Sequence, residues 1–292
     1  MDAALAASYE ECKRLNSLHG KTYYLATLLL PKSKRPYVHA LYGFARYADE
    51  IVDDLASTLS PAEKAEALRS WSSGVLADLK AGTSTDHIGR ALVDTARKFD
   101  IPHQHFVDFL HSMEMDLTIT QYQTYEDLLE YVYGSAAVIG LEMVPILGYS
   151  DQRAYEAAKK LGIAFQLANF IRDVAEDLDR GRVYLPLQEL AQFGVDRAML
   201  ERRILTPEII AALKFQIVRV RQLQHEADIG IAYLDRVSRP CIRAASELYC
   251  GIVDEVEAIG YDIFNKRAKT STARRARVAG AAYIQAIAAR IG

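Results

Sequence analysis

The chain has 292 residues, half of them hydrophobic, and a formal net charge of −3. That length and apolar content support one large core or two modest domains, and the mildly negative balance argues against a nucleic-acid binder. Three cysteines, Cys12, Cys241 and Cys250, make no CxxC pair and no even set, which fits a reducing compartment and no disulfide framework.

The first residues, MDAALAASYEECKR, lack the basic start and apolar run of a signal peptide. The longest apolar stretches are YYLATLLLP and AAVIGLEMVPILGY, the second interrupted by Glu142 and Pro145. Both fall short of the roughly 18 apolar residues needed to span a bilayer, so a soluble or at most peripheral protein is expected. Helix signals then follow one another. Ser60-Pro61-Ala62-Glu63 is a capping box with a helix-starting proline, and AGTSTD near Ala81 reads as a loop. Pro102 opens HQHFVDFLHSMEMDL, Thr124 with Asp127 precedes LLEYVYG, and Thr206-Pro207-Glu208 repeats the cap-and-proline signal. The segment ERRILTPEIIAALKFQIVRVRQLQHEADIGIAYLDRV has helical composition and spacing. There is no Asn-Gly or Asp-Gly hairpin, RVYLP is the only strand-like piece, and no repeat or linker interrupts the chain. The expectation is an all-α single domain of about ten helices. The tail carries Lys266, Arg267, Lys269, Arg274, Arg275, Arg277 and Arg290. It reads as a solvated basic helix or as a face that attracts anionic phosphate, on a lipid surface or on a substrate.

Two acidic clusters, ARYADEIVDDL and NFIRDVAEDLD, stand out against apolar neighbours. Asp49 and Asp53 are four apart, as are Asp173 and Asp177, so on a helix each pair points one way. Stepping back along the same faces gives Arg46 and Tyr42 in one, and Asn169, Gln166 and Gly162 in the other. The flanking residues, Leu41, Phe44, Ile51 and Val52 against Phe165, Leu167, Phe170 and Ile171, are apolar. This predicts a polar-lined cavity between helices. Like charges so placed repel, and burying them unpartnered costs more. Hard cations resolve the conflict, because magnesium takes one or two carboxylates together with substrate phosphates and water. Arg46 and Arg172 would add contacts to phosphate oxygens. A diphosphate so held becomes a leaving group, and aromatic faces can stabilise the carbocation left behind while apolar walls exclude water. The chain has 17 tyrosines, several of them (Tyr23, Tyr24, Tyr42, Tyr47, Tyr131, Tyr133, Tyr249) near these motifs.

The segments HGKTYYLATLLLP, ALYGFARYADEIVDD, MEMDLTITQYQTYEDLLEYVYGSAAVIG and QLANFIRDVAEDLDRGRVYLP occur in that order. Together they resemble the squalene/phytoene synthase family over nearly the whole chain, its bacterial phytoene synthases most of all. The resemblance implies one isoprenoid-synthase helical bundle with a central cavity, ending in the basic helix from Lys266 onward. It implies head-to-head condensation of two geranylgeranyl diphosphates, through prephytoene diphosphate, to phytoene. Magnesium would be required, with manganese as a substitute, and NADPH would not. By the same resemblance Asp49 and Asp53 form one metal-binding pair, and Asp173 and Asp177 the other, with Asn169 beside it. His19, Lys21, Thr22, Tyr23, Arg46 and Arg172 face diphosphate or the first reacting chain. Tyr42, Tyr131, Gln166 and Tyr249 line the reaction cavity, and Arg182 and Tyr184 lie in a flap hinged at Gly181. Glu50, where many relatives carry Asp, and Lys266-Arg267 depart from the pattern or leave its register open.

Small residues Ala26, Thr27, Ala40 and Gly43 suggest room for a twenty-carbon chain. Alternatives are a squalene or dehydrosqualene synthase using farnesyl diphosphate, and a non-catalytic scaffold, which intact aspartates disfavour. An elongase or cyclase does not fit Arg172 to Pro186. His103-x-His105 lacks a third zinc ligand and reads as two surface histidines, and Met113 and Met115 near Asp116 read as packing. The expected location is cytoplasmic, peripheral on the inner face of the cell membrane.

Overall fold

Local chemistry sets most helix ends. In the computed structural model, which describes residues 2–53 and 59–291 with the side chains of Lys21, Asp53 and Pro61 excepted, Ser60 and Glu63 form the expected reciprocal cap and Thr124 and Asp127 another. Thr206 caps the long helix that starts at Pro207. Gly82, at φ 72°, ends a helix in the left-handed region that favours glycine, and starts the AGTSTD loop.

In chain order the first helices are α1 (Ala3–His19), α2 (Lys21–Thr27), α3 (Arg35–Asp53), α4 (Pro61–Ala81), α5 (His87–Phe99) and α6 (His103–Thr118). There follow α7 (Tyr125–Val132), α8 (Val138–Leu147), α9 (Arg153–Arg172), α10 (Val174–Asp179), α11 (Leu187–Gln192) and α12 (Arg197–Glu201). The chain closes with α13 (Pro207–Gly230), α14 (Arg239–Cys250), α15 (Ile252–Ala258) and α16 (Thr272–Ile291). The all-α expectation holds, with more and shorter helices than foreseen. Among the described residues RVYLP contributes only an isolated bridge, Val183 to Gln121. The three cysteines are free and buried. His103 is exposed as expected, whereas His105 is half-buried.

Two apolar clusters make the core. One gathers α1, α3 and α5 around fully buried Phe44, Phe106 and Leu92; the other gathers α9 and α13 around Leu128, Ile171, Ile209 and Val220. Helix α9 joins them, packing on α13 along one side and on α8 along another. The α8–α9 approach is close. A Cβ added at Gly140 would lie 2.4 Å from the Ala158 carbonyl oxygen, and one at Gly162 would lie 2.5 Å from that of Ala136. Only glycine fits there.

Between α7 and α8, Tyr133–Ala137 form a π-helical turn, a local widening that recurs at functional sites. The continuous rod Tyr125–Leu147 is long and apolar enough to cross a membrane by length and composition, contrary to the sequence expectation. Half of it is buried, and residues along it line a cavity.

Candidate active site

The cavity has a volume of about 510 Å³ and opens to solvent. It is walled by α3, α6, the α7–α8 rod, α9, α13 and α14. Its polar end is built where α3 and α9 present the two acidic stripes. Arg46, Asp49, Gln166, Asn169, Arg172, Asp173 and Asp177 all border the same space. The helical register read from the sequence is therefore the register that aims these groups.

The two stripes differ in detail. On α3, Arg46 Nη1 donates to Asp49 Oδ2 at 2.7 Å, with the carboxylate 45% exposed. Asp53 ends the same helix, and its side chain lies outside the described residues. The second pair does not sit on an unbroken helix as expected. Helix α9 ends at Arg172, Asp173 takes a non-helical conformation (φ −100°, ψ 13°), and α10 resumes at Val174. One helical hydrogen bond, Asp177 N–H to the Asp173 carbonyl at 2.8 Å, spans the break and keeps both side chains on the cavity. Asp173 accepts from Arg172 and from Arg267, the latter at 3.0 Å. Arg267, whose register was open in the sequence, thus sits at the site and also pairs with Glu176 at 2.7 Å. Asp177 is only 8% exposed and forms no ion pair among the described residues. Burial, then the neighbouring Asp173 charge, pushes its pKa up to about 8.

Among the described residues, no three carboxylate, histidine or cysteine side chains converge as a ready metal cage. The donors nevertheless suit a hard divalent cation, which binds through few carboxylates and completes its shell with phosphate and water. A buried Asp177 beside a second carboxylate fits such an ion, because burial and the Asp173 charge outweigh the charges of Arg180 and Arg182 on it. Asp49, Asn169, Asp173 and Asp177 would hold it.

Inward from the acids lies an aromatic layer. Tyr249 stacks on Phe165 at 4.9 Å and meets Tyr23 at 5.2 Å, which in turn meets Tyr42 at 6.3 Å. Opposite, Tyr131 and Tyr184 both donate to Asp116, each at 2.7 Å. Burial, reinforced by the Asp116 charge, drives the Tyr131 phenol well above 10, so it stays neutral and keeps donating. The far end is apolar: Met143, Leu147, Ala157, Leu161, Gly230 and Leu234.

The structure brings together Tyr23, Tyr42, Arg46, Asp49, Tyr131, Gln166, Asn169, Arg172, Asp173, Asp177, Tyr184 and Tyr249. His19 is exposed and Thr22 half-buried, and neither borders the cavity; Lys21's side chain lies outside the described residues. Arg182 is held just behind the wall, its Nη2 donating to the Asp116 carbonyl at 2.8 Å. The expected flap is thus pinned: Gly181 does turn at φ 73°, but Val183 bridges to Gln121 and Tyr184 is anchored on Asp116. The small residues expected to make room do not reach the cavity. Ala26, Thr27 and Ala40 are buried elsewhere and Gly43 packs on Cys12; Ala154, Ala157, Ala158 and Gly230 take that place. Asp116 and Arg180 also border the cavity and were not among the expected site residues.

Acids and arginines at the mouth of an aromatic and then aliphatic pocket define a helical enzyme that handles a diphosphate on a hydrocarbon chain. The family model described as squalene/phytoene synthase matches residues 17–274, and the chain belongs to that family. It is 37% identical over 292 residues to "Phytoene synthase 2, chloroplastic" of Oryza sativa subsp. japonica, covering 98% of this chain and 72% of that one. It is 36% identical over 285 residues to "15-cis-phytoene synthase" of Synechococcus elongatus, covering 94% and 91%. A crystal structure of a dehydrosqualene synthase in complex with ligand superposes with a TM-score of 0.87 at 27% identity, covering 97% of this chain and 98% of that one. A squalene synthase, HpnC from Alicyclobacillus acidocaldarius, superposes with a TM-score of 0.80 at 25% identity, covering 89% and 97%.

Proposed function

We infer that this protein is a phytoene synthase, a prenyltransferase joining two geranylgeranyl diphosphates head to head. The observation that carries the reading is the single cavity in which both acidic stripes, three arginines and an aromatic layer lead to an apolar end. The near full-length likeness to phytoene synthases supports the product class.

In the first half-reaction the C1–O bond of one substrate breaks and diphosphate leaves. The allylic cation bonds to the double bond of the second substrate, and proton loss closes a cyclopropane, giving prephytoene diphosphate. In the second half-reaction that intermediate loses its diphosphate, rearranges through cyclopropylcarbinyl cations and loses a proton. No hydride is consumed, so no NADPH is needed. The chain's residues divide this work by position. Arg46, Arg172 and Arg180 at the mouth supply cationic contacts to phosphate oxygens. The Tyr23, Tyr42, Phe165 and Tyr249 faces lie where a cation forms and stabilise it without reacting. Asp116 fixes the Tyr131 and Tyr184 rings, and the aliphatic end keeps water from quenching the cation. Magnesium, bound through the aspartates with manganese as a substitute, would neutralise diphosphate charge and make it a better leaving group.

Chromatography of products from labelled geranylgeranyl diphosphate, with and without NADPH, tests the reading. A forty-carbon hydrocarbon formed equally in both is expected. Clear preference for farnesyl diphosphate, or a product that requires NADPH, would assign the chain to squalene or dehydrosqualene formation instead. The substrates are membrane-soluble, and we place the protein in the cytoplasm, peripheral on the inner face of the cell membrane.

A further inference from the structure

Away from the cavity one surface carries exposed aliphatic side chains with nothing packed on them. Helix α16 lays Val278, Ala282 and Ala286 inward, on the side where it packs against α14. It turns Tyr283, Ile284, Ile287 and Ile291 outward, with Ile284 70% and Ile291 82% exposed. Helical spacing produces both stripes, but only the small-residue one has a partner. Arg290 Nη2 donates to the Leu29 carbonyl at 2.8 Å and fastens the end of α16 beside the end of α2. There Leu25 and Leu28 are also exposed. The end of α16 that carries Ile287 and Ile291 therefore lies beside the end of α2 that carries Leu25 and Leu28.

The charge on this face is one-sided. No Asp or Glu occurs from Gly20 to Arg35 or from Lys266 to Ile291, in a chain whose net charge is −3. Arg35 donates to the Leu28 carbonyl at 2.6 Å and the Leu30 carbonyl at 2.9 Å, and lies close enough to Arg290 to feel its charge. Among the described residues neither guanidinium forms an ion pair. By contrast, Arg274 and Arg277 further along α16 pair with Asp254 and Glu247. Two neighbouring cations that meet only carbonyl oxygens call for an anion from outside the chain.

We propose that the α2–α16 face docks on an anionic lipid bilayer, with Leu25, Leu28, Ile284, Ile287 and Ile291 entering the acyl boundary and Arg35 and Arg290 meeting lipid phosphates. Reversible membrane binding needs apolar insertion and cationic attraction together, and this face carries both. The proposal rests on the functional reading only for its purpose. Helix α2 carries Tyr23 into the cavity wall, so docking there sets the site beside the phase in which prenyl substrates dissolve.

Vesicle flotation tests it. The full chain should float with vesicles of equal parts phosphatidylglycerol and phosphatidylcholine, and lose that binding in high salt or with phosphatidylcholine alone. Ile284→Glu/Ile287→Glu should lower the bound fraction at least about tenfold. Val218→Glu, at a similarly exposed position on α13, should float as the parent does. Melting by circular dichroism, and turnover of detergent-dispersed geranylgeranyl diphosphate, should be unchanged in the double variant. Failure of the parent to float, or unaltered flotation of the double variant, overturns the proposal. So does a dimer, seen by light scattering, that the double variant dissociates while vesicles remain unbound. Flotation without turnover in the parent would leave docking standing and remove the functional reading.

Discussion

The two acidic pairs share a spacing but not a state. On α3, Asp49 is half-exposed and already answered by Arg46 one turn away. At the α9–α10 junction, Asp173 is claimed by two arginines, and Asp177 is buried with no ion-pair partner among the described residues and its pKa pushed up to about 8. The helix that carries the first pair is continuous, while the one that carries the second breaks at Asp173. Asp49 is therefore electrostatically settled before any ligand arrives. In the second pair, burial of Asp177 and the nearby Asp173 charge outweigh the charges of Arg180 and Arg182, the usual cost of a site built for a cation. Geometry that looks symmetric in sequence is asymmetric in energy.

Activity should break first, and at both pairs. Asp49→Asn and Asp177→Asn should each lower kcat/KM for geranylgeranyl diphosphate by about 10³-fold, the scale of losing charge stabilisation in a transition state. Steady-state release of diphosphate measures this. Near-parental rates in both variants would remove the aspartates from the mechanism.

Stability should separate the pairs where activity does not. Without metal, Asp177→Asn should raise unfolding free energy by about 1–3 kcal/mol, because it removes a buried, crowded carboxyl. Asp49→Asn should change it by no more than about 0.5 kcal/mol, as expected for an exposed ion pair. The sign follows from linkage. Asp177 has a folded pKa raised from 3.8 to about 8, so the folded state holds a proton that the unfolded state releases. Its penalty is absent below about pH 4, grows as pH rises, and levels off above about 8. Adding magnesium with inorganic diphosphate should reverse the order, raising the parental melting temperature and leaving Asp177→Asn nearly unmoved. Equal metal-free stabilisation of both variants would erase the contrast between the pairs.

Much of this contrast was legible from residue spacing. Tyr42, Arg46 and Asp49 on α3, and Gly162, Gln166, Asn169 and Asp173 on α9, recur at helical steps, and all border the cavity. What spacing could not disclose depends on distant packing. The break at Asp173 falls within Ile171-Arg172-Asp173-Val174, which has no glycine or proline to mark it. Asp116 was read only as a neighbour of packing methionines, because its partners Tyr131 and Tyr184 are remote in sequence. The carboxylate that ends MEMD, with Met113 and Phe109 on the same cavity wall, was the available signal. The apolar end needed α9 set against α13, since Ala157 and Gly230 meet only across that interface. The small residues at Ala26 and Ala40 had the right character but served close helix packing instead.

A third buried carboxyl shows what Asp177 would be without a function. Glu142 sits in the middle of α8, is 0% exposed, and both of its carboxyl oxygens lack a hydrogen-bond partner. Burial alone pushes its pKa well above the usual 4.5. It does not border the cavity, although its neighbours Met143 and Gly140 do. Among the described residues none pairs a cation with it, so it is neutral in the folded chain and costs stability without a ligand to recover it. Glu142→Met, an apolar side chain of similar length, should raise unfolding free energy by about 3 kcal/mol at pH 7 while leaving kcat unchanged. A raised folded pKa means the parent is penalised only above the unfolded value. The gap between variant and parent should therefore be smallest and pH-independent below about pH 4 and widen with increasing pH, by at most about 1.4 kcal/mol per unit. Urea titrations across that range would measure it. The difference from Asp177 is that magnesium and diphosphate should not close this gap, since no cation site adjoins Glu142. A parent that gained on the variant when those ligands were added would mean that Glu142 senses the metal site through the cavity wall, and the division between a working acid and an idle one would fail.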